Sequence, residues 1–173
     1  NYRGVRRLEI RPVELEDADA IAAIRREDGV REGVMSLSGE RTDATVNFLR
    51  SLSGKDRGFV AAEDGKIIGF AVLLSEKDPS REHCASIAVM VGKNSQMRGV
   101  GRALLARLTD CADNELDLHR LELLVLTDNE KAVKLYKSAG FTVEATKKHA
   151  AVVRGAFVDE YLMGRLHSKE AAI

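Results

Sequence analysis

The stretch NSQMRGVGRALL, residues 94–105, places two glycines on either side of Val100, where an apolar helical pattern begins. Glycines at a helix start allow a ligand to approach the backbone closely, and the free amides of the first turn attract negative charge. Arg98 and Arg102 add guanidinium groups that can pair with phosphate oxygens. The segment therefore predicts a site for a phosphate group.

Spacing excludes two well-known phosphate loops. A P-loop needs a Lys-Ser or Lys-Thr pair after its last glycine, whereas Arg102 and Ala103 follow Gly101. A dinucleotide fingerprint needs a small residue three positions after Gly101, where Leu104 stands. From these residues alone, one structural alternative stays open: the two glycines could serve only to let the helix pack closely on the sheet.

The sequence offers no nucleophile that is paired with a base. Its serines, cysteines and histidines form no Ser-His-Asp or Cys-His pattern, so no covalent intermediate on the protein is expected. Cys84 and Cys111 belong to no CxxC motif, and His83 has no second ligand pair at metal-site spacing. We expect both cysteines to be buried hydrophobic residues and predict no metal site.

The elements that position the glycine loop follow from the period of the apolar residues. An Asp64-Gly65 turn joins the second and third predicted strands. Thr42 is expected to cap the second helix, and a capping box of Thr127 and Glu130 to open the fourth, which Gly140 ends. The predicted strands cover residues 8–13, 58–63, 66–75, 84–91, 120–126, 141–150 and 156–166, and the helices begin near residues 17, 43, 100 and 128.

Composition narrows the class of protein. The chain has 173 residues, the size of one domain, and its 27 basic and 27 acidic residues give no net charge, which argues against binding nucleic acid by bulk electrostatics. No apolar run approaches the ~20 residues that cross a bilayer. The first twelve residues also lack the apolar core of a signal peptide, so we expect a cytoplasmic protein with no membrane or nucleic-acid partner.

The loop also resembles a known family. Residues 96–101, QMRGVG, resemble the Q/R-x-x-G-x-G/A loop of the GNAT superfamily of acetyl-CoA-dependent N-acetyltransferases. The segment LLVLTDNEKAVKLYKSAGF is similar to the strand and helix that follow it in that superfamily, and the order of the predicted elements agrees over nearly the whole chain. The tail resembles bacterial members that acetylate free L-amino acids and, more loosely, those that modify protein N-termini.

The resemblance implies a single N-acetyltransferase domain over residues 1–173 with an α/β (α+β) fold. A mixed, mostly antiparallel sheet of about seven strands would be flanked by about four helices, with a splay between the fourth and fifth strands that holds the thioester. The cofactor is acetyl-CoA, used as a co-substrate. The residues implied to bind it are Met90, Val91, Gln96, Met97, Arg98, Gly99, Val100, Gly101, Arg102, Ala103, Asn129 and Tyr136.

Two of these residues are also implied to act in catalysis. Tyr136 would protonate the departing thiolate, and the backbone N–H of Val91 would stabilise the oxyanion. Each side chain has a structural alternative: Tyr136 shares a helical stripe with Ala132 and Leu135 and could be a core residue, and Asn129 could serve only the helix start. Arginine near a helix N-terminus is unfavourable without an anion, which favours the phosphate role.

The base and the acceptor are less clearly indicated. Glu82 and His83 open the fourth strand and are the candidate bases, with Glu63, Glu76 and Asp159 as alternatives. A chain of water molecules could also remove the proton. Arg31 or Arg41 could hold a carboxylate of the acceptor, and Met35 could line an apolar pocket.

The expected function is therefore transfer of acetyl from acetyl-CoA to a primary amine by direct attack, on a free L-amino acid or a similar small amine. One alternative is a protein N-terminal acetyltransferase of the ribosomal-protein type. Another is a non-catalytic, regulatory acetyl-CoA-binding module. The resemblance also implies a homodimer.

Overall fold

Residues 6–30 and 41–167, the part of the chain that the computed structural model describes, form a seven-stranded sheet with helices on both faces. The elements are β1 (Leu8–Pro12), α1 (Ala18–Arg25), α2 (Thr42–Ser51), β2 (Arg57–Glu63), β3 (Lys66–Ser75), β4 (Cys84–Val91), α3 (Val100–Asp110), β5 (Arg120–Leu126), α4 (Glu130–Ser138), β6 (Thr142–Val153) and β7 (Ala156–Leu166). A π-helical turn, Cys111–Glu115, continues α3.

The strands lie in the order β1-β2-β3-β4-β5-β7-β6. Every neighbouring pair is antiparallel except β4 and β5, which run parallel and pair only from Cys84–Ser86 to Arg120–Glu122. Beyond Ser86 and Glu122 the two strands continue without pairing, so the sheet opens at their C-terminal ends. The predicted splay between the fourth and fifth strands is confirmed.

Side chains of the strands alternate between two cores, because successive residues of a strand point to opposite faces of the sheet. On one face, which we call the α3/α4 face, Leu104 and Tyr136 enter a core with residues of the central strands. On the other, the α1/α2 face, Ile21 and Leu49 pack against Phe70. The helices thus cover both sides of the sheet, as the mixed α/β prediction requires.

Gly69 of β3 allows α3 to lie close to the sheet. A methyl group at this position would lie 2.9 Å from Leu104 Cδ1 and 3.1 Å from the carbonyl oxygen of Met90. A contact of 2.9 Å is closer than real side chains come, so a residue larger than glycine would force the Leu104 side chain to shift. Gly69 thus lets α3 pack closely on β3.

The predicted elements agree with the structure to within a few residues: β6 continues to Val153, three residues beyond its predicted end, and two helix starts have other caps than predicted. Thr42 was expected to cap α2, but the helix begins at Thr42 itself and Arg41 holds the cap position. The capping box at α4 was also wrong, because a hydrogen bond from the Asn129 amide to the Leu126 carbonyl, 3.0 Å long, turns the chain before the helix starts. The predicted glycine at the end of α4 is confirmed, since Gly140 has a φ of +92°.

Both cysteines are buried, as predicted. Burial raises the pKa of the Cys84 and Cys111 thiols, which makes them poor nucleophiles. Within residues 6–30 and 41–167, no three metal-binding side chains are grouped so as to hold an ion. None of the helices in that same part of the chain has the length and apolar character needed to cross a membrane.

Candidate functional site

The gap between β4 and β5 exposes backbone groups of β4. The Gly92 amide donates to the Ile68 carbonyl at 2.8 Å, so Gly92 faces β3. The N–H and C=O groups of successive strand residues point to opposite sides. Those of Met90 therefore also point toward β3, whereas those of Val89 and Val91 point toward β5. Since β5 pairs with β4 only as far as Ser86, the polar groups of Val89 and Val91 open into the gap.

This alternation changes which residues of β4 can contact a ligand in the gap. Val91 was predicted to bind the acetyl donor, and the structure directs its backbone into the gap. Met90, predicted alongside it, has its backbone on the β3 side and its side chain buried in the α1/α2 core. Val89, which the sequence analysis did not single out, takes that place beside Val91.

Tyr136 reaches the gap from α4. Its side chain is buried, with 6% of the residue exposed, and its ring packs edge-on against Phe141 at 5.9 Å between centroids. The backbone amide of Val89 donates a hydrogen bond to the phenol oxygen. Burial raises the pKa of Tyr136 to about 12, while the Val89 hydrogen bond opposes the shift. The phenol is protonated at neutral pH, as an unshifted tyrosine would also be, and burial makes it a weaker acid.

The glycine loop ends in an open helix start. Gly99 occupies the cap position of α3 with a φ of +84°, a conformation that other residues rarely adopt, and the space beside it is empty to 4 Å. The Ala103 amide bonds back to the Gly99 carbonyl at 3.0 Å, so the amides of residues 100–102 precede the first helical hydrogen bond. Their N–H groups are available to an anion, which fits a pyrophosphate.

Gly101 has a different role from Gly99. A methyl group there would lie 3.2 Å from Leu135 Cδ2 on α4 and 3.6 Å from Val91 Cγ2, both tight or direct contacts. Gly101 therefore allows α3 to pack against α4 and β4. The structural alternative for the two glycines holds for Gly101, whereas Gly99 has a positive φ and open space beside it, and its part in binding an anion stays a prediction.

The polar side chains of the loop have different partners. Gln96 Nε2 donates to the Val91 carbonyl at 3.1 Å, and Arg98 forms an ion pair with Glu63 at the end of β2. Arg102, in the first turn of α3, is exposed. Met97 between the two tethered residues has a φ of +59° and is 78% exposed. Of the two predicted phosphate-binding arginines, Arg98 is thus engaged by a carboxylate.

Asn129 serves the start of α4, which is the structural alternative to a role in binding the cofactor. Its side-chain oxygen accepts the backbone N–H of Ala132 at 3.3 Å and so caps α4. The cap holds the start of the helix that carries Tyr136. A contact of Asn129 with the acetyl donor stays a prediction.

The candidate bases Glu82 and His83 lie at the other end of β4. The His83 carbonyl accepts the amides of His119 and Arg120, at 2.9 and 3.1 Å, where β4 and β5 are still joined. Six residues of extended strand separate His83 from Val89, a length of about 20 Å at ~3.3 Å per residue. The structure does not bring Glu82 or His83 together with Tyr136.

The alternative acids are held by structural partners. Glu76 pairs with Arg81 at 3.5 Å, and Asp159 accepts from Lys148 Nζ at 3.0 Å and from the His149 amide at 2.8 Å. These contacts stabilise the loop before β4 and the hairpin of β6 and β7.

Of the three residues predicted to line the acceptor pocket, the structure describes one. Arg41 is 84% exposed at its side chain and pairs with Asp43 at 3.2 Å. Arg31 and Met35 lie outside the described residues.

Two glutamates that the sequence did not assign to the loop contact it from distant elements. Glu63 pairs with Arg98, and Glu27, just after α1, accepts the Lys93 amide at 2.6 Å. No spacing rule predicts such contacts, because the residues are 35 and 66 positions apart in the chain. Val89 could not be chosen over Met90 from the apolar sequence of β4, because the choice depends on the register of β4 against β3.

A diverging pair of parallel strands, a helix start with free amides and a buried tyrosine between them form the candidate site. Residues 10–162 match the acetyltransferase (GNAT) domain family. The chain belongs to this family, and it is an acetyl-CoA-dependent N-acetyltransferase.

Curated relatives share most of the chain. It is 32% identical over 157 residues to the L-amino acid N-acetyltransferase AaaT of Escherichia coli, covering 91% of this chain and 96% of that protein. It is 30% identical to the spermidine N(1)-acetyltransferase of Vibrio cholerae, covering 79% and 82% of the two chains. It is 33% identical to the N-alpha-acetyltransferase RimI of Mycobacterium tuberculosis, covering 84% and 90%.

Solved structures share the fold. A GCN5-related N-acetyltransferase from Kribbella flavida superposes with a TM-score of 0.81 at 29% identity, covering 92% of this chain and 98% of that one. The seven-stranded sheet and its opening between β4 and β5 therefore have the arrangement of this superfamily.

The raised pKa of Tyr136 can be measured directly. In a spectrophotometric titration, the difference between the wild type and Tyr136→Phe should show a phenol that ionises near pH 12 rather than near the ordinary value of 10.0. The unfolded chain ionises this phenol at the lower pH, so the stabilising effect of the shift is complete below pH 10 and is lost as the pH rises to about 12. A Tyr136 phenol that ionises near pH 10 in the folded protein would contradict the burial of its hydroxyl group.

Proposed function

We propose that this chain transfers the acetyl group of acetyl-CoA to the primary amine of a small molecule, in particular a free L-amino acid. The observation that carries the donor side of the proposal is the opening of the sheet beyond Ser86, where the Val89 carbonyl and the Val91 N–H face the gap beside a protonated tyrosine. The acceptor side is supported by the 32% identity with an L-amino acid N-acetyltransferase over 91% of the chain.

Three features of the site fit the donor. The amides of residues 100–102 and the exposed Arg102 suit the pyrophosphate, which carries negative charge. Because Gln96 already binds the Val91 carbonyl, the Val89 carbonyl is the backbone group of β4 that suits an amide N–H of the pantetheine arm, which would take the place of a neighbouring strand. The closed end at Ser86 and Glu122 limits how far the arm extends along the gap.

The reaction needs a hydrogen-bond donor that stabilises the oxyanion and an acid that protonates the departing thiolate. The acceptor amine attacks the thioester carbonyl, and the Val91 N–H is our candidate donor to the oxyanion that forms. Collapse of the adduct re-forms the carbonyl and breaks the carbon–sulfur bond, and the proton that the former amine nitrogen loses replaces, through water, the one that Tyr136 gives to the thiolate. Because the Val89 amide already donates to the Tyr136 oxygen, the phenol proton is directed elsewhere and is free to reach the departing thiolate.

The acceptor also arrives as an ammonium ion, which must lose a proton before it attacks. His83 lies about 20 Å from Val89 along β4 and Glu82 lies one residue further, so either could receive this proton only through intervening water. We therefore propose a chain of water molecules as the route. No direct base is needed as long as this transfer is faster than turnover.

The acceptor is expected to approach from the α1/α2 face. Tyr136 and α4 occupy the opposite face of the gap. On the α1/α2 face, Leu124 of β5 is 42% exposed beside Leu162 of β7, its partner in the sheet. These leucines offer an apolar surface to the carbon skeleton of the acceptor. The homodimer and the cytoplasmic location remain predictions.

The proposal can be tested with a thiol-release assay using acetyl-CoA and a panel of L-amino acids, spermidine and short peptides with free N-termini. We expect release of coenzyme A with one or more free amino acids. Activity with spermidine or peptides alone would contradict the acceptor class. Tight binding of acetyl-CoA without release of thiol in any reaction would favour a regulatory module instead.

Replacement of Tyr136 by Phe should separate its chemical role from its packing. The ring and its contact with Phe141 are kept, so we expect kcat to fall on the order of a hundredfold while the KM for acetyl-CoA stays within about twofold. Steady-state kinetics with the best amine of the panel measures both constants. An unchanged kcat would show that Tyr136 is a core residue only.

A further inference from the structure

Glu63 and Arg98 join two parts of the molecule that the sheet alone would not hold together. Glu63 is the last residue of β2, and Arg98 is in the loop between β4 and α3. Arg98 Nη2 donates to Glu63 Oε1, and Arg6 Nη1 lies 3.7 Å from the other oxygen of the same carboxylate. The Glu63 side chain is only 15% exposed and that of Arg98 35%, so solvent screens this ion pair less than a fully exposed one.

Two side-chain contacts hold the loop on either side of Met97. Gln96 binds the Val91 carbonyl on one side of Met97, and Arg98 binds Glu63 on the other. Met97 between them has a φ of +59°, a conformation that residues with a side chain adopt only when their surroundings enforce it. Because Met97 is 78% exposed, packing of its own side chain does not supply that constraint.

From this arrangement we infer that Glu63 is a positioning residue for the acetyl donor. By holding Arg98, it fixes the turn at Met97 and Gly99 so that the amides of residues 100–102 stay directed at the pyrophosphate. Arg98 is then a tether and not a ligand of the phosphate, and Arg102 is the side chain that meets the negative charge. The inference rests on the proposed assignment of this loop to acetyl-CoA.

If Glu63 instead competes with the phosphate for Arg98, its removal should have the opposite effect on the affinity for acetyl-CoA. If Arg98 bound the phosphate directly, Glu63 would compete for the same guanidinium and would repel the donor by its own negative charge. Removal of that charge would then strengthen binding. In the tether account, the same change releases the loop and weakens binding, so the sign of the effect decides between the two.

The test measures the affinity for acetyl-CoA by isothermal titration calorimetry for the wild type, Glu63→Gln, Arg98→Met and the double variant. We expect each single variant to weaken binding about threefold to fivefold, the effect of losing one partly exposed ion pair. The double variant should bind as each single variant does, because both changes remove the same interaction. In steady-state assays the KM for acetyl-CoA should rise and kcat should stay within about twofold.

Two further variants control the comparison. Glu63→Asp keeps the charge and should recover part of the affinity. Asp110→Asn removes a carboxylate that lies 3.6 Å from Arg107 at the far end of α3, and its affinity should equal that of the wild type. Thermal unfolding without acetyl-CoA should show that all variants are folded at the temperature of the assay.

Tighter or unchanged binding by Glu63→Gln, with weaker binding by Arg98→Met, would overturn the inference and make Arg98 a phosphate ligand. Additive losses in the double variant would overturn it as well. The calorimetric readout needs no acceptor, so a wrong acceptor class leaves it unaffected. A wild-type protein that fails to bind acetyl-CoA would instead contradict the proposed function.

Discussion

The parallel pairing of β4 and β5 ends after three residues, and the site depends on that limit. A longer pairing would satisfy the backbone of Val89 and Val91 within the sheet and leave a ligand nothing to bind. Because the strands diverge, the protein keeps polar backbone groups free in its centre. Tyr136 compensates for part of this cost by accepting the Val89 amide, and Gln96 does so by donating to the Val91 carbonyl.

The helices on the α3/α4 face position free backbone amides and a tyrosine at this opening. Close contacts at Gly69 and Gly101 seat α3 against β3, β4 and α4, so the free amides at its start lie near the open end of β4. The Asn129 cap fixes the start of α4, from which Tyr136 reaches the gap. Burial of the Tyr136 side chain contributes to the core and at the same time raises the pKa of its phenol.

Much of this could be predicted from the sequence, because it depends on local rules. Period-two strands, the Asp64-Gly65 turn and Gly140 at a helix end each follow from a few neighbouring residues, and the glycine loop follows from spacing. The contacts of Arg98 with Glu63 and of Lys93 with Glu27 could not be predicted, since they join residues far apart in the chain. The choice of Val89 over Met90 needed the register against β3, which the pattern of apolar residues does not contain.

Amide hydrogen exchange, followed by NMR spectroscopy with and without acetyl-CoA, tests the central claim that the open edge of β4 binds the donor through its backbone. Saturating acetyl-CoA should slow exchange at the Val91 amide by more than about tenfold, as expected for a new backbone hydrogen bond in a bound complex. The Gly92 amide, which already donates to Ile68, should change much less. An unchanged rate at Val91 in the saturated complex would contradict the account.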